Sequence, residues 1–459
     1  MMPRFLLAVF LYLALALPAL ASTAVPGRVL DIQSFKTPNG ITVWLVEDHS
    51  LPVIALSFAI KGGASLDPAG RQGVSQLLSN TLDEGAGEIK SPEFQGALRD
   101  NAIDLRFASD RDDFSGSLRT LTRHQDKAFD LLHLALRAPR FDPDAVERMK
   151  QANLTRIRSA MTDADWIGAR LSNDLSFKGH PYARNIGGTL AGMNALTPAD
   201  LHDAWLRDVA RDRLFVGVSG DMTKDQAASA VDRIFGDLPV GAKQAALPES
   251  PMPAPEKPVF YATPQPQTNM TLIWPGIGLH DPDHYAAVVM DYIYGGGGFS
   301  SLLMDEVREK RGLTYGIYSG MTNLDHADRY TVMASMQPQN VASSVETVEA
   351  IADRMKNQDV SADRLAAAKE YLIGSLPLSF SSTRAIAGAL TALQVNGRPV
   401  SAYDDYREKI AKVTPADIRR AAARIFNQKP QIILVGAKPQ GLDVNTITVL
   451  PDVEGSVTK

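Results

Sequence analysis

The sequence predicts an α+β fold built twice: two duplicated domains, each a largely antiparallel sheet packed with helices. Three observations carry this reading. Each half of the chain passes through short β-rich segments joined by tight turns, and then through longer helical patterns. Several segments of the first half recur in the second, in the same order. A proline-rich stretch divides the chain near its middle.

The β-rich elements come first. Residues 41–46 (ITVWLV) and 53–60 (VIALSFAI) are dominated by β-branched and aromatic side chains, and the loop 47–52 predicts a hairpin between them. Helical patterns follow at 74–82, 91–101, 127–138 and 143–161. A further helix spans 198–209 with Thr197 as its N-cap, and 214–219 (LFVGVS) is another strand. Asp67-Pro68 then returns as Asp281-Pro282, 214 residues later. Residues 117–132 parallel 333–348 at an offset of 216, and 141–154 parallel 359–372 at 218. Ordered matches at so long a period indicate a duplicated domain rather than a solenoid. Between the copies, 241–258 carries Pro248, Pro251, Pro253, Pro255 and Pro258. Proline fixes φ and removes a donor, so this segment reads as an extended, semi-rigid linker. The expected organisation is a signal peptide at 1–21, an N-terminal domain at 28–240, the linker at 241–258 and a C-terminal domain at 259–440.

The signal peptide rests on Arg4, the apolar run 5–17, and Ala19-Leu20-Ala21 after Pro18. Cleavage before Ser22 would remove Arg4 and take the net charge from −5 to −6. An uncleaved anchor is the alternative, but the run is shorter than the ~20 apolar residues of a membrane span. The expectation is an exported protein, periplasmic if the source is a Gram-negative bacterium, with no stable membrane insertion. The 459 residues are 45% hydrophobic and 22% charged, a globular profile. Cysteine is absent, which excludes disulfides, thiolate metal sites and a cysteine nucleophile. No basic run exceeds the REKR of 308–311, so nucleic acid is not an expected partner.

Polar residues in the first predicted helix raise a separate question. Gln76, Ser79 and Asn80 stand at i, i+3 and i+4 and share one face. Among the eight histidines, only His280 and His284 are close in sequence, within HDPDH. Pro282 disturbs an i, i+4 ligand geometry there, and a solvated turn before a helix is the preferred reading. His180 reads as a structural histidine.

Two longer blocks carry a family resemblance. Residues 179–223 (GHPYARNIGGTLAGMNALTPADLHDAWLRDVARDRLFVGVSGDMT) and 295–320 (GGGGFSSLLMDEVREKRGLTYGIYSG) resemble the pitrilysin/insulinase family of zinc peptidases. The resemblance covers nearly the whole mature chain. It implies two related α+β domains closing around a peptide like a clamshell. It also implies a metal motif, H-x-x-E-H, on the first long helix: two histidines hold zinc and the glutamate is the base. A further glutamate roughly 75 residues on completes the family's ligand set. Laid on this sequence, the motif falls on Gln76, Ser79 and Asn80, and the distant ligand falls near Arg156. Gln and Asn are weak neutral ligands, Ser79 is no carboxylate base, and Arg156 repels a cation. No metal and no other cofactor is therefore expected in this chain.

The second block retains what the first has lost. Arg308 lies near the end of a helix predicted from about Ser300, and Lys310 to Gly312 make a turn into a strand at 313–318. This brings Arg308 and Tyr315 onto one local surface. In catalytic relatives, an Arg and a Tyr at this spacing bind the substrate carbonyl and the oxyanion, chemistry that suits a guanidinium and a phenol. The plainer alternative pairs Arg308 with Asp305 or Glu306 and buries Tyr315 in the core. Gly295, Gly296, Gly297 and Gly298 lack the Lys-Ser/Thr of a phosphate loop. They are expected to bring backbone close to a peptide, with a flexible turn as the alternative. The resemblance thus implies a non-catalytic subunit whose partner is a homologous, zinc-binding H-x-x-E-H chain and whose substrate is an unstructured peptide. The competing reading is a peptide-binding or scaffolding homologue without a peptidase role.

Overall fold

The computed structural model describes residues 28–241 and 244–450. The predicted signal peptide lies outside the described residues. In chain order the strands are β1 (Gln33–Lys36), β2 (Thr42–Glu47), β3 (Val53–Lys61), β4 (Gly85–Ala86), β5 (Ile89–Lys90), β6 (Asp104–Ser109), β7 (Asp113–Leu121) and β8 (Leu214–Gly220), then β9 (Val259–Ala262), β10 (Thr268–Pro275), β11 (Thr314–Leu324), β12 (Ala327–Met336), β13 (Gln431–Gly436) and β14 (Asn445–Ile447). β4 and β5 form a small ribbon, and the others build two six-stranded sheets.

The first sheet runs β1-β2-β8-β3-β7-β6 and the second β14-β9-β13-β10-β12-β11. Position by position the two orders correspond, so the duplication is visible in the sheets. Each has a parallel pair, β2 with β8 and β9 with β13, beside antiparallel strands. The copies differ at one edge. β1 precedes β2 and pairs with it antiparallel, whereas β14 comes from the far end of the chain and lies parallel to β9. That strand extends the sheet past residue 440.

β2 and β3 do not form the predicted hairpin. β8 lies between them, with Val43 beside Val216 and Ile60 beside Leu214. Two inter-strand steps total ~10 Å, well within the reach of a five-residue loop. β8 is buried at every residue except Phe215, as a central strand requires.

One face of each sheet packs on helices of its own half. Leu45, Leu56 and Phe58 meet Leu77, Leu132 and Ile234 in the first core. Leu272, Trp274 and Tyr330 meet Tyr294, Val348 and Ile418 in the second. The opposite faces are covered by exchange. Helix Ala164–Ser176, from the first half, sets Ile167 and Leu171 against Ile273, Ile433 and Val435. Helix Thr383–Val395, from the second half, sets Ile386, Leu390 and Leu393 against Trp44 and Val46. Its approach depends on Gly217, where a Cβ would stand 2.4 Å from the Ala387 carbonyl. Gln394 Nε2 donates to Val216 O (2.8 Å) and Thr391 Oγ1 to Ser57 O (3.0 Å), so the contact is polar as well as apolar. Each half therefore completes the other.

The described part of the linker has no helix or strand and runs along the joint. Ser250 N donates to His326 O (2.8 Å), and the Pro248 carbonyl lies 3.0 Å from His180 Nε2. Burial holds the His180 pKa below its ordinary value, so the ring is neutral, with Nδ1 accepting from Tyr182 N (3.1 Å). His180 is thus structural. No helix among the described residues is long and apolar enough to cross a membrane.

Candidate functional site

The polar stripe sits on a short helix, Val74–Ser79, whose N-cap Gly73 has φ +95°. Glycine is required there: an added Cβ would lie 2.8 Å from the Gly188 Cα. The Gly187-Gly188 pair of the family-like block is therefore pressed against the helix start. A buried charge cluster fixes the same end. Asp67 accepts from Gly73 N (2.8 Å) and Ser75 Oγ (2.5 Å). Arg207, from helix Pro198–Asp208, donates to Ser75 Oγ (2.6 Å) and to both oxygens of Asp208 (2.7 Å each). Desolvation outweighs Arg207 at Asp67 and raises its pKa to about 6.

From this anchored start, Gln76, Ser79 and Asn80 converge. Gln76 Nε2 donates to Asn80 Oδ1 (3.0 Å) and approaches Ser79 Oγ (3.2 Å), while Ser79 Oγ donates to Gln76 O (2.8 Å). Asn80 Nδ2 donates to Asn153 Oδ1 (3.1 Å), which also accepts from Arg156 Nη2 (2.6 Å). Asn153 and Arg156 lie one turn apart on helix Pro143–Ala160. The structure thus brings all four degenerate positions into one network, joined by Asn153. Sequence reasoning missed Asn153. Its position at i−3 of Arg156 was the available signal, since such pairs share a helix face.

This donor set does not fit a zinc ion. The Asn80 and Asn153 amide oxygens already accept from a neighbouring amide or guanidinium. The network holds no imidazole, thiolate or carboxylate, and it carries a cation. Arg156 is solvent-exposed, and partial desolvation lowers its pKa from the ordinary value. A water bound here would meet amides and a guanidinium rather than a base. The HDPDH segment is likewise committed: Arg424 holds Asp281 (2.6 Å) and Asp283 (2.8 Å), and Arg420 holds Asp283 (2.7 Å). Burial and nearby cations push His284 down to about 4, so it is neutral at physiological pH.

The second candidate surface lies at the head of β11. Met304–Glu309 is a π-helix, wider than the predicted α-helix. Gly312, at φ +63°, turns the chain so that Leu313 N donates to Val307 O (3.0 Å) and Ile317 N approaches Met304 Sδ (3.4 Å). Arg308 pairs with Glu309, not with Asp305 or Glu306, and stacks on the Phe299 ring at 4.8 Å. Tyr315 is not core: it is 89% exposed. Among the described residues, no hydrogen bond joins Arg308 to Tyr315. Both stand on neighbouring segments, with the guanidinium against the exposed Phe299 ring. Three of the four glycines are explained by packing. A Cβ at Gly295 would lie 2.5 Å from Ser319 Oγ, at Gly296 2.5 Å from Asp291 Oδ2, and at Gly297 2.5 Å from Tyr292 O. Gly298 has open space around it and φ +56°, which suits a turn.

Comparison with known proteins finds relatives of the whole fold. Residues 42–189 match the family model for insulinase (peptidase family M16), and residues 195–372 match the model described as the peptidase M16 inactive domain. The chain is 26% identical over 384 residues to the non-peptidase homolog YmxG of Helicobacter pylori, a match spanning 82% of this chain and 85% of that protein. It is 23% identical over 460 residues to the probable mitochondrial-processing peptidase subunit beta of Schizosaccharomyces pombe, spanning 93% and 95%. The crystal structure of a peptidase M16 inactive domain from Pseudomonas fluorescens superposes with a TM-score of 0.82 at 26% identity, covering 90% of this chain and 100% of that one.

Proposed function

We propose that this chain, which belongs to the insulinase family of peptidases (M16) and has the fold of its inactive homologues, is the substrate-binding subunit of a two-chain zinc peptidase. The observation that carries the proposal is the contrast between the two candidate surfaces. At the degenerate motif, Gln76, Ser79, Asn80, Asn153 and Arg156 are linked to one another by hydrogen bonds. At the head of β11, Tyr315 projects its phenol into solvent and Arg308 stands on an exposed aromatic ring.

In this reading the partner chain carries H-x-x-E-H and supplies zinc and the attacking water. This chain binds an extended peptide. Arg308 and Tyr315 donate hydrogen bonds to the peptide carbonyl and to the negative charge that develops on its oxygen. Release of Arg308 from the exposed Glu309 costs little, because such pairs contribute only ~0–1 kcal/mol. The similarity to a protein named as a processing-peptidase subunit supports a subunit role. The test is activity of the assembled pair: Arg308→Ala and Tyr315→Phe are expected to depress turnover while assembly persists. Unchanged turnover in both variants overturns the role.

A second reading, a peptide-binding or scaffolding protein with no peptidase partner, is favoured by the likeness to a non-peptidase homolog and by the existing Arg308–Glu309 pair. Purification with no H-x-x-E-H chain attached, together with saturable peptide binding by this chain alone, would select it.

A further inference from the structure

A cleft of about 540 Å³ opens at the base of helix His284–Asp291, between Leu279–Ala286, Arg398-Pro399 and the helices Ala402–Lys412 and Pro415–Ile425. This size suits a small organic ligand. Its lining includes neither Arg308 nor Tyr315 and none of the degenerate motif.

The charges lining it are unevenly used. Asp281 is held by Arg424, Asp417 is held by Arg420 and caps its own helix through Thr414, and Lys412 pairs with Glu408. Three groups are left. Arg398 spends its donors on neutral acceptors, Leu279 O (2.7 Å) and the Tyr285 hydroxyl, so its charge is uncompensated. Lys409 Nζ stands 5.0 Å from the centre of the Tyr285 ring, and the Arg398 guanidinium stands 5.6 Å from it. Neither cation has a carboxylate within 4.0 Å among the described residues. Asp405, one helical turn before Lys409, accepts only from Ser401 Oγ (3.1 Å). Two free cations over one aromatic ring and one free carboxylate a turn away, ~6 Å along the helix, form a divided site. A simple anion would leave Asp405 repelling it. A ligand with a negative group at one end and a positive group at the other satisfies all three.

The geometry points to a binding site for a short peptide with free termini, its α-carboxylate on Arg398 and Lys409 and its α-ammonium on Asp405. Tyr285 lines the cleft beneath both cations. Such ligands are what peptide hydrolysis releases, but the site stands whether or not this chain joins a peptidase.

The test uses this chain alone and calorimetric titration with Ala-Ala-Ala, its N-acetylated form, its C-terminal amide and inorganic phosphate. The tripeptide is expected to bind saturably, and each blocked form about ten-fold more weakly or worse. Arg398→Gln and Lys409→Gln should each weaken the tripeptide by a similar factor. Asp405→Asn should abolish the preference for a free ammonium while leaving the acetylated form unchanged. Lys409 and Asp405 lie at the surface of a helix, so these variants should unfold at the wild-type temperature, and their results stand even if Arg398→Gln disturbs the fold. Absence of saturable tripeptide binding overturns the proposal. So does phosphate binding as tightly as the tripeptide, or acetylation without effect.

Discussion

The two halves share a strand order, but their opening helices have been put to opposite uses. At the offset of 214 that superposes Asp67-Pro68 on Asp281-Pro282, the positions Gln76, Ser79 and Asn80 become Met290, Ile293 and Tyr294. The first three form a polar network, and the second three are buried in an aromatic core with Tyr330 and Phe426. The same fold therefore accepts an apolar stripe at this place. The polar stripe of the first half is not demanded by the architecture. On the reading proposed above, it stands where the resemblance puts a metal site, and its residues bond to each other instead.

The helix anchors repeat this contrast. Thr197-Pro198-Ala199-Asp200 and Thr414-Pro415-Ala416-Asp417 open equivalent helices with the same capping box. Each helix returns an arginine, Arg207 or Arg424, to the aspartate before the opening helix. In the first half this pair is buried with Asp208; in the second Arg424 is exposed, Asp281 is partly exposed, and the buried Asp283 has a second cation in Arg420.

The largest expected effect comes from forcing one half to resemble the other. Tyr294→Asn would place an amide in the second core and delete the bond from the Tyr294 hydroxyl to Val348 O (2.9 Å). A loss of ~3–5 kcal/mol in chemical denaturation is expected. An effect below ~1 kcal/mol would mean that this position does not demand an apolar residue. Next comes the pair of anchors. Arg207→Met leaves Asp67 and Asp208 buried and unpaired and should cost ~3–5 kcal/mol. Arg424→Met removes a partly exposed partner and should cost ~0–1 kcal/mol. Equal costs would break the comparison.

The pH dependence of the two aspartates should have opposite sign. Burial raises the Asp67 pKa to about 6, so the folded state holds its proton more tightly than the unfolded chain. Its contribution is full below about pH 4 and is lost as pH rises through 6. Hydrogen bonds from Arg424 lower the Asp281 pKa. Its contribution is present above the unfolded value and is lost as pH falls below the ordinary carboxylate range. Stability measured against pH for Asp67→Asn and Asp281→Asn, each subtracted from wild type, reads the two terms separately. Difference curves of the same sign would contradict this account.

Much of the fold was legible because its signals are local. The Thr197 cap, the β-rich runs and the repeated segments each follow from neighbouring residues. The insertion of β8 between β2 and β3 was not legible, since strand order depends on a pairing more than 150 residues away. The exchanged helices were hidden for a related reason. An apolar helix face shows that something covers it, but not which half supplies the cover. At the site, the i, i+3, i+4 spacing exposed the stripe. Asn153 escaped because its partner lies on another helix. The glycine run suggests close approach to a ligand, while three of its members answer to Ser319, Asp291 and Tyr292.

The smallest stability effect should fall on the surface with the largest proposed functional one. Tyr315 is 89% exposed, and Tyr315→Phe should change stability by less than ~0.5 kcal/mol. Any loss of turnover would then be chemical rather than structural.

The most direct measurement is co-expression of this chain with an H-x-x-E-H homologue, followed by zinc analysis and a peptide cleavage assay of each chain and of the pair. The account predicts zinc in the partner and not in this chain, cleavage by the pair, and loss of that cleavage in Arg308→Ala and Tyr315→Phe. Stoichiometric zinc and cleavage by this chain alone would contradict it.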